Sequence, residues 1–412
     1  MSTGPAEPVR PAAQHPAGPA AHPAGGAELR VSTLEIFFDL VFAFTLTQLT
    51  AVLAERLSWL AVGQVILVFG LLWWMYGAYA WLTNSRPPVH LPERLLLLVG
   101  MAGFLVVGLA IPAGFAGYGY VLGLGYLVVV IVHTVLYYRV NANILRVAPF
   151  NIGSAVLVTI AGLLHGPHGS DDLAAYLLWI AALVIQLGSP LIVRPASFFE
   201  LRPSHFCERH SALLIVAIGE SVAAVGIGAA GPVSEASAVS WRLLATAVLG
   251  LAVAATLWWI AFGSGDEARA VRVLTHATSK RRTQLALSAF FYGNIPLLLG
   301  LVALAAGILR AVIEAAGQPA PVSRTGLAAV LAAGAALFLA GDVVFRKVLA
   351  IGPTRLRAIA AVVVLATTAV GAAAGLEAQL VVVAVVLIAP LAAERDQAGT
   401  GGGGPPAASA AG

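Results

Sequence analysis

The chain has little charge and almost no cysteine. Of its 412 residues, 10% are charged and a single one, Cys207, is a cysteine. A soluble domain carries about 25% charged residues, so this is not the composition of a protein with an ordinary water-facing surface. A lone thiol excludes an internal disulfide framework. Also missing are a glycine-rich phosphate loop, a His-Glu-x-x-His zinc helix and a Gly-x-Ser-x-Gly elbow. Buried acids and histidines remain available as acid and base, but nothing indicates a substrate for catalysis. No enzyme, catalytic residue, cofactor or metal is therefore expected. The pI near 9.4 does not point to nucleic acid, because the basic residues fall in short segments rather than in a patch.

What the chain has in abundance is apolar length. It is 59% hydrophobic with a mean hydropathy of +0.91. Twelve apolar runs can be read, at 34–54, 58–82, 93–112, 119–138, 147–165, 173–193, 206–229, 240–262, 285–309, 325–345, 356–375 and 378–393. Runs of about 16–25 residues suffice to cross a hydrocarbon core as helix. The last two are also compatible with one hairpin that does not fully cross. Continuous rather than alternating hydrophobicity argues against strands, and only helices or closed barrels satisfy their backbone in lipid. The expected fold is an all-α, polytopic transmembrane helix bundle in a lipid bilayer; nothing excludes oligomers.

Residues 1–30 and 394–412 are Pro/Ala/Gly-rich and are expected to be disordered tails. The N-terminal one lacks an apolar signal-peptide core, which leaves the first span as the targeting signal. Between the tails, residues 31–193 and 206–393 read as two six-helix halves joined by the linker 194–205. Twelve spans with both termini on one side put 19 of the 23 Lys and Arg residues on that side. The positive-inside rule makes it the cytoplasm. Glu35 and Glu208 each stand at the start of the first span of a half, and Trp73-Trp74 and Trp258-Trp259 each stand in the second. With six spans per half, such repeats would be parallel. The alternative is that the tryptophans only mark the membrane interface.

Ionisable residues at bilayer depth usually pair, face a polar cavity or do chemistry. Glu35 and Asp39 are four apart and share a helix face. Either a cation or a basic side chain lies between them, or one is neutral. The alternative is that both snorkel to the cytoplasmic interface or cap the helix N-terminus, where the dipole favours anions. In His205-Phe206-Cys207-Glu208-Arg209-His210, three adjacent ionisable residues point in three directions and cannot all face lipid. Glu220, eleven residues beyond Arg209, lies near the middle of its span and needs a partner from another helix; His133, Asn294 and Arg139 are the candidates. Ser221 belongs to a stripe with Ala217, Ala224 and Gly228 that would let helices approach closely. Glu35, Asp39, Glu208, Arg209, His210, Glu220, Ser221 and His133 are therefore the candidates for an ion or substrate path.

Other polar groups read as structural. Asp342 and Arg346 are a helical i, i+4 pair, and Gln48, Gln64 and Gln186 are helix contacts. Pro296 in Tyr292-Gly-Asn294-Ile-Pro296 would kink the ninth span and free a carbonyl. His165-Gly-Pro-His168 with Asp171-Asp172 has the look of a metal-binding tract, but isolated loop residues of this kind are usually not ligands.

The motif Glu35-Ile-Phe-Phe-Asp39-Leu-Val-Phe42, with His205-Phe-x-Glu208-Arg209-His210 and Gly219-Glu220-Ser221, resembles the bacterial low temperature requirement A family. The similarity extends over nearly all of residues 31–393 and includes the two tryptophan pairs. Asn294 departs from it, standing where the family's Tyr-x-His-x-Pro supplies a histidine. The resemblance implies a polytopic bacterial inner-membrane protein, linked by its name to growth in the cold, without a settled activity. A fainter similarity joins Phe37–Ala43 to the first helix of six-span-repeat potassium channels, without the arginine that precedes that motif. Buried acids in two helices and the apparent repeat favour a proton- or cation-coupled secondary transporter acting on a small ion or solute. The competing readings are a structural or regulatory membrane protein of cold adaptation and an ion channel.

Overall fold

The computed structural model describes residues 31–165, 172–193, 201–230, 240–318 and 322–400. The tails 1–30 and 401–412, linker residues 194–200, and His168 with Asp171 lie outside these. Among the described residues every regular element is a helix: α1 (Thr33–Glu55), α2 (Trp59–Ser85), α3 (Leu91–Ala110), α4 (Gly119–Tyr138), α5 (Ala148–Leu164), α6 (Leu173–Val193) and α7 (Pro203–Ala229). The second part contains α8 (Trp241–Phe262), α9 (Asp266–His276), α10 (Ser279–Leu285), α11 (Asn294–Ala315), α12 (Arg324–Leu349), α13 (Arg355–Ala374) and α14 (Leu376–Thr400). Among the described residues, eleven helical stretches are long and apolar enough to cross a membrane by length and composition, and α5, with 17 residues, is shorter. This is a multi-pass membrane protein.

Each of the twelve expected runs falls on a helix. Several begin where a serine side chain accepts the N–H of the third helical residue, as at Ser32, Ser58, Ser240 and Ser323. Such caps satisfy an end that a bilayer cannot hydrate. α13 and α14 are each long enough to cross alone, and α14 runs to Thr400, beyond the expected boundary at 393. The segment between α8 and α10 contains an amphipathic helix that the hydropathy runs did not show. α9 buries Ala270 and Leu274 and exposes Arg272 and His276.

α1 packs on α2, α3, α7 and α11 and so joins the two halves. In the first half α3 packs on α4, α4 on α5, α5 on α6, and α6 returns to α2. The same neighbour scheme runs from α7 to α8 and α11, then through α12, α13 and α14 back to α8. The tryptophan pairs do not share an environment. Trp73 and Trp74 are buried where α2 is enclosed by other helices, whereas Trp258 and Trp259 are more than two-fifths exposed on α8. α11 and α12 touch through Gly300 and Gly334, where an added Cβ would meet the backbone of the facing helix. Small residues permit this approach and the van der Waals contact that follows from it.

The backbone ahead of Pro296 is irregular. A single π-helical stretch, Ala286–Tyr292, joins α10 to α11. Proline has no N–H to give to the preceding turn, and the indole of Trp73 donates to the Phe291 carbonyl (2.9 Å). The irregular turn of the second half is thereby tied to α2 of the first.

Candidate functional site

The site forms where the starts of α1 and α7 meet the end of α2. Ser32 and Glu35 make a reciprocal capping box, with the Ser32 N–H and hydroxyl both donating to Glu35 Oε2 (2.9 and 2.8 Å). The other oxygen of Glu35 accepts from Arg209 Nη1 (2.8 Å). Glu35 is thus both the helix cap and an ion-pair partner. One turn further along α1, Asp39 Oδ1 accepts from Arg209 Nη2 (3.3 Å) and from the Tyr76 hydroxyl (2.9 Å). The basic group expected between the two acids is therefore Arg209, which also donates to Thr83 Oγ1. Its guanidinium carbon lies 5.4 Å from the ring centre of Phe38 and 5.8 Å from that of Tyr76. Arg209, Glu35 and Asp39 are each 99% buried or more.

Asn84 fixes the state of His205. Its carbonyl oxygen accepts the Arg202 N–H (2.9 Å) and its amide donates to the Arg202 carbonyl (3.0 Å), which sets the amide's orientation. That amide also meets His205 Nδ1 at 3.2 Å, so Nδ1 accepts. The ring proton is then on Nε2, which donates to Glu35 Oε2 (3.3 Å). In this arrangement His205 is neutral, and two carboxylates share one guanidinium. Asp39 Oδ2 has no hydrogen-bond partner. The cluster is left with one negative charge, which a proton or a cation can balance.

The three adjacent residues of α7 do point apart. Arg209 faces α1 and α2. Glu208 accepts from the Val31 N–H (3.3 Å) ahead of α1. His210 turns toward Trp73, Phe206 and Phe290. Eleven residues along α7, Glu220 meets α1 again: Thr47 Oγ1 donates to Glu220 Oε2 at 2.6 Å. Its partner is thus Thr47 rather than His133, Asn294 or Arg139. The reason is geometric, because α1 and α7 run side by side in the same direction and Thr47 is three turns beyond Glu35. Glu220 Oε1 and Ser221 Oγ are buried without a partner. Ala217, Ser221, Ala224 and Gly228 are all buried, and an added Cβ at Gly228 would press on Val312 of α11.

His133 does not join this cluster. It packs against Tyr79 and Tyr137 and lines an apolar cavity of about 90 Å³ with Trp74, Asn151 and Phe291. Gln64 and Gln186 make helix contacts as expected, with Tyr176 and Tyr126 (2.7 Å each). His165 packs against Phe115 and Tyr176.

A second buried network occupies the same end of the bundle. The Asp342–Arg346 pair (3.2 Å) is part of it, and Arg346 also binds Asp266 at the start of α9. Arg357 of α13 reaches Asp342 (2.9 Å), the Ile260 carbonyl of α8 (3.0 Å) and both oxygens of Glu394 of α14 (2.9 Å each). Sequence reasoning missed Asp266, Arg357 and Glu394, which stand at helix ends where charge is ordinary. A usable signal existed for Arg357 alone, which opens the apolar run that follows the Asp342 span.

The profile of the bacterial low temperature requirement A protein (LtrA) family matches residues 30–392. Both charged clusters of α1 and α7 lie inside that match. The chain is also 26% identical over 336 residues to Uncharacterized protein RA0937 of Rhizobium meliloti (strain 1021), covering 78% of each chain. A polytopic helix bundle matched along nearly its whole length, charged clusters included, belongs to the bacterial low temperature requirement A (LtrA) family.

Proposed function

We propose that the protein is a secondary transporter of the bacterial inner membrane, coupled to protons or another cation, with both termini in the cytoplasm. The observation that carries this reading is the excess negative charge at Glu35, Asp39 and Arg209. A buried group that can be balanced by a transferable proton or cation supplies the coupling that such a transporter needs. Glu220, held by a neutral hydroxyl rather than a cation, provides a second acid deeper along the same helix pair. The recurring neighbour scheme of the two halves supports movement of one half against the other, as in repeat-built transporters. Orientation follows from the basic residues concentrated at the end that holds both networks.

One observation favours a structural role instead. In the second network each carboxylate meets a guanidinium, as expected of a strut. Asp39→Asn and Glu220→Gln decide between the two. Each variant is tested for unfolding in detergent and for restoring low-temperature growth to a strain lacking the protein. Transport predicts normal stability with lost complementation; full complementation by Glu220→Gln sinks the transporter reading. Reporter fusions check the orientation, with an external reporter expected to be active after residue 317 and silent after residue 264.

A further inference from the structure

Between the two charged networks lies a cavity of about 60 Å³, walled by α7, α8, α9, α11 and α12. A water needs about 10–15 Å³ on such a measure, so the space holds roughly four waters or a solute of a few heavy atoms. Its charged wall is of one sign: Asp266, Glu267 and Asp342 line it, and among the described residues no Lys or Arg does. Arg346 and Arg357 bind the carboxylates of Asp266 and Asp342 without lining the space themselves. Glu267 makes none of these bonds and is exposed. With Glu394 included, four carboxylates stand against Arg346, Arg357 and Arg269, which leaves one negative charge beside the cavity.

Two further features of the wall favour a particular kind of cation. His210 is buried, and its Nδ1 is 2.8 Å from the Phe206 carbonyl, which can only accept. Nδ1 therefore carries a proton, and in the neutral ring Nε2 presents a lone pair that meets no donor among the described residues. Next to it, Phe290 and Phe345 cross edge to face at 5.0 Å, and both line the space. Aromatic surfaces beside carboxylates attract ammonium groups through the ring quadrupole, more strongly where water is excluded. A compact ammonium also has N–H donors for the His210 lone pair and for the carboxylate oxygens.

We propose that this cavity binds a small organic ammonium ion of the size of methylammonium. The assignment builds on the transporter reading by naming a substrate class, but binding itself does not require transport. The test is equilibrium dialysis of radiolabelled methylammonium against the full-length protein in detergent, at fixed ionic strength set with sodium chloride. The expected result is one saturable site per chain, displaced by unlabelled methylammonium and not by methanol, its neutral counterpart of equal size. Phe345→Leu and Glu267→Gln should each weaken binding about 5- to 10-fold, the range of one cation–π or charge contact. Absence of saturable binding, equal displacement by methanol, or unchanged affinity in both variants overturns the proposal. If a variant does not fold, the wild-type dialysis and the methanol competition still decide. Glu220→Gln separates the two readings, because it should lose complementation and keep methylammonium binding.

Discussion

Replacing Arg209 by methionine removes the only guanidinium among the described residues that reaches Glu35 and Asp39, while retaining much of the side-chain volume. Both acids are buried on α1, and after the change Glu35 retains the cap and His205 whereas Asp39 retains only Tyr76. Removing one partner of a buried ion pair costs about 3–5 kcal/mol, because the other charge remains without compensation. That is roughly two to more than three orders of magnitude in the unfolding equilibrium. Asp39→Asn acts on the same contact from the other side. Its amide oxygen still accepts from Tyr76 and Arg209, and the excess negative charge disappears, so the expected loss is within about 1.5 kcal/mol. Arg209→Lys falls between them, since one ammonium cannot reproduce the fork that reaches both acids and Thr83. The assay is reversible unfolding in mixed micelles with increasing SDS, followed by tryptophan fluorescence. Combining Arg209→Met with Glu35→Gln and Asp39→Asn should recover part of the loss. If Arg209→Met unfolds at the wild-type midpoint, or Asp39→Asn costs as much as Arg209→Met, the charge account of this site is wrong.

Three further outcomes follow from contacts elsewhere. Thr47→Val leaves Glu220 Oε2 without its donor and should cost about 1–3 kcal/mol in the same titration, with Thr47→Ser restoring most of it. Arg357→Met should cost about 3 kcal/mol, because it separates Asp342 from Glu394 and partial exposure of Glu394 lets water compensate in part; limited proteolysis should then cut near the end of α14 first. Gly334→Val sets a branched side chain against the α11 backbone at Leu304 and Gly300. It should cost about 3 kcal/mol or more and lower the yield of folded protein in detergent, whereas Gly326→Ala near the start of the same helix should be tolerated.

The helices were legible because each crossing needs about twenty apolar residues, and that requirement is local. The amphipathic α9 was not, since its alternation of Ala270 and Leu274 with Arg269 and Arg272 is too short and too charged to stand out in a hydropathy run. The spacing of Glu35 and Asp39 demanded a cation, and the motif at 205–210 contained one. Joining the two required knowing that α1 and α7 lie side by side. Glu220 is met by a threonine hydroxyl, which carries no charge to mark it among the many hydroxyls of the spans. Its signal was positional: Thr47 stands twelve residues after Glu35, and Glu220 eleven after Arg209. Pro296 announced an irregular turn, but the sequence could not show that an indole from the other half would meet the Phe291 carbonyl.

The ion pair that fastens α1 to α7 also sets a schedule for the chain's birth. Glu35 and Arg209 are 174 positions apart. At about 5–20 residues per second, a ribosome needs roughly 10–35 seconds to travel from one to the other. For that interval the nascent α1 has made its two acids and the cell has not yet made their counter-ion. Five further spans are synthesised before Arg209 is. Until the seventh helix arrives, the two acids of the first lack the guanidinium that they share in the finished fold. A chain that stops before α7 has both acids and not the residue that bridges them.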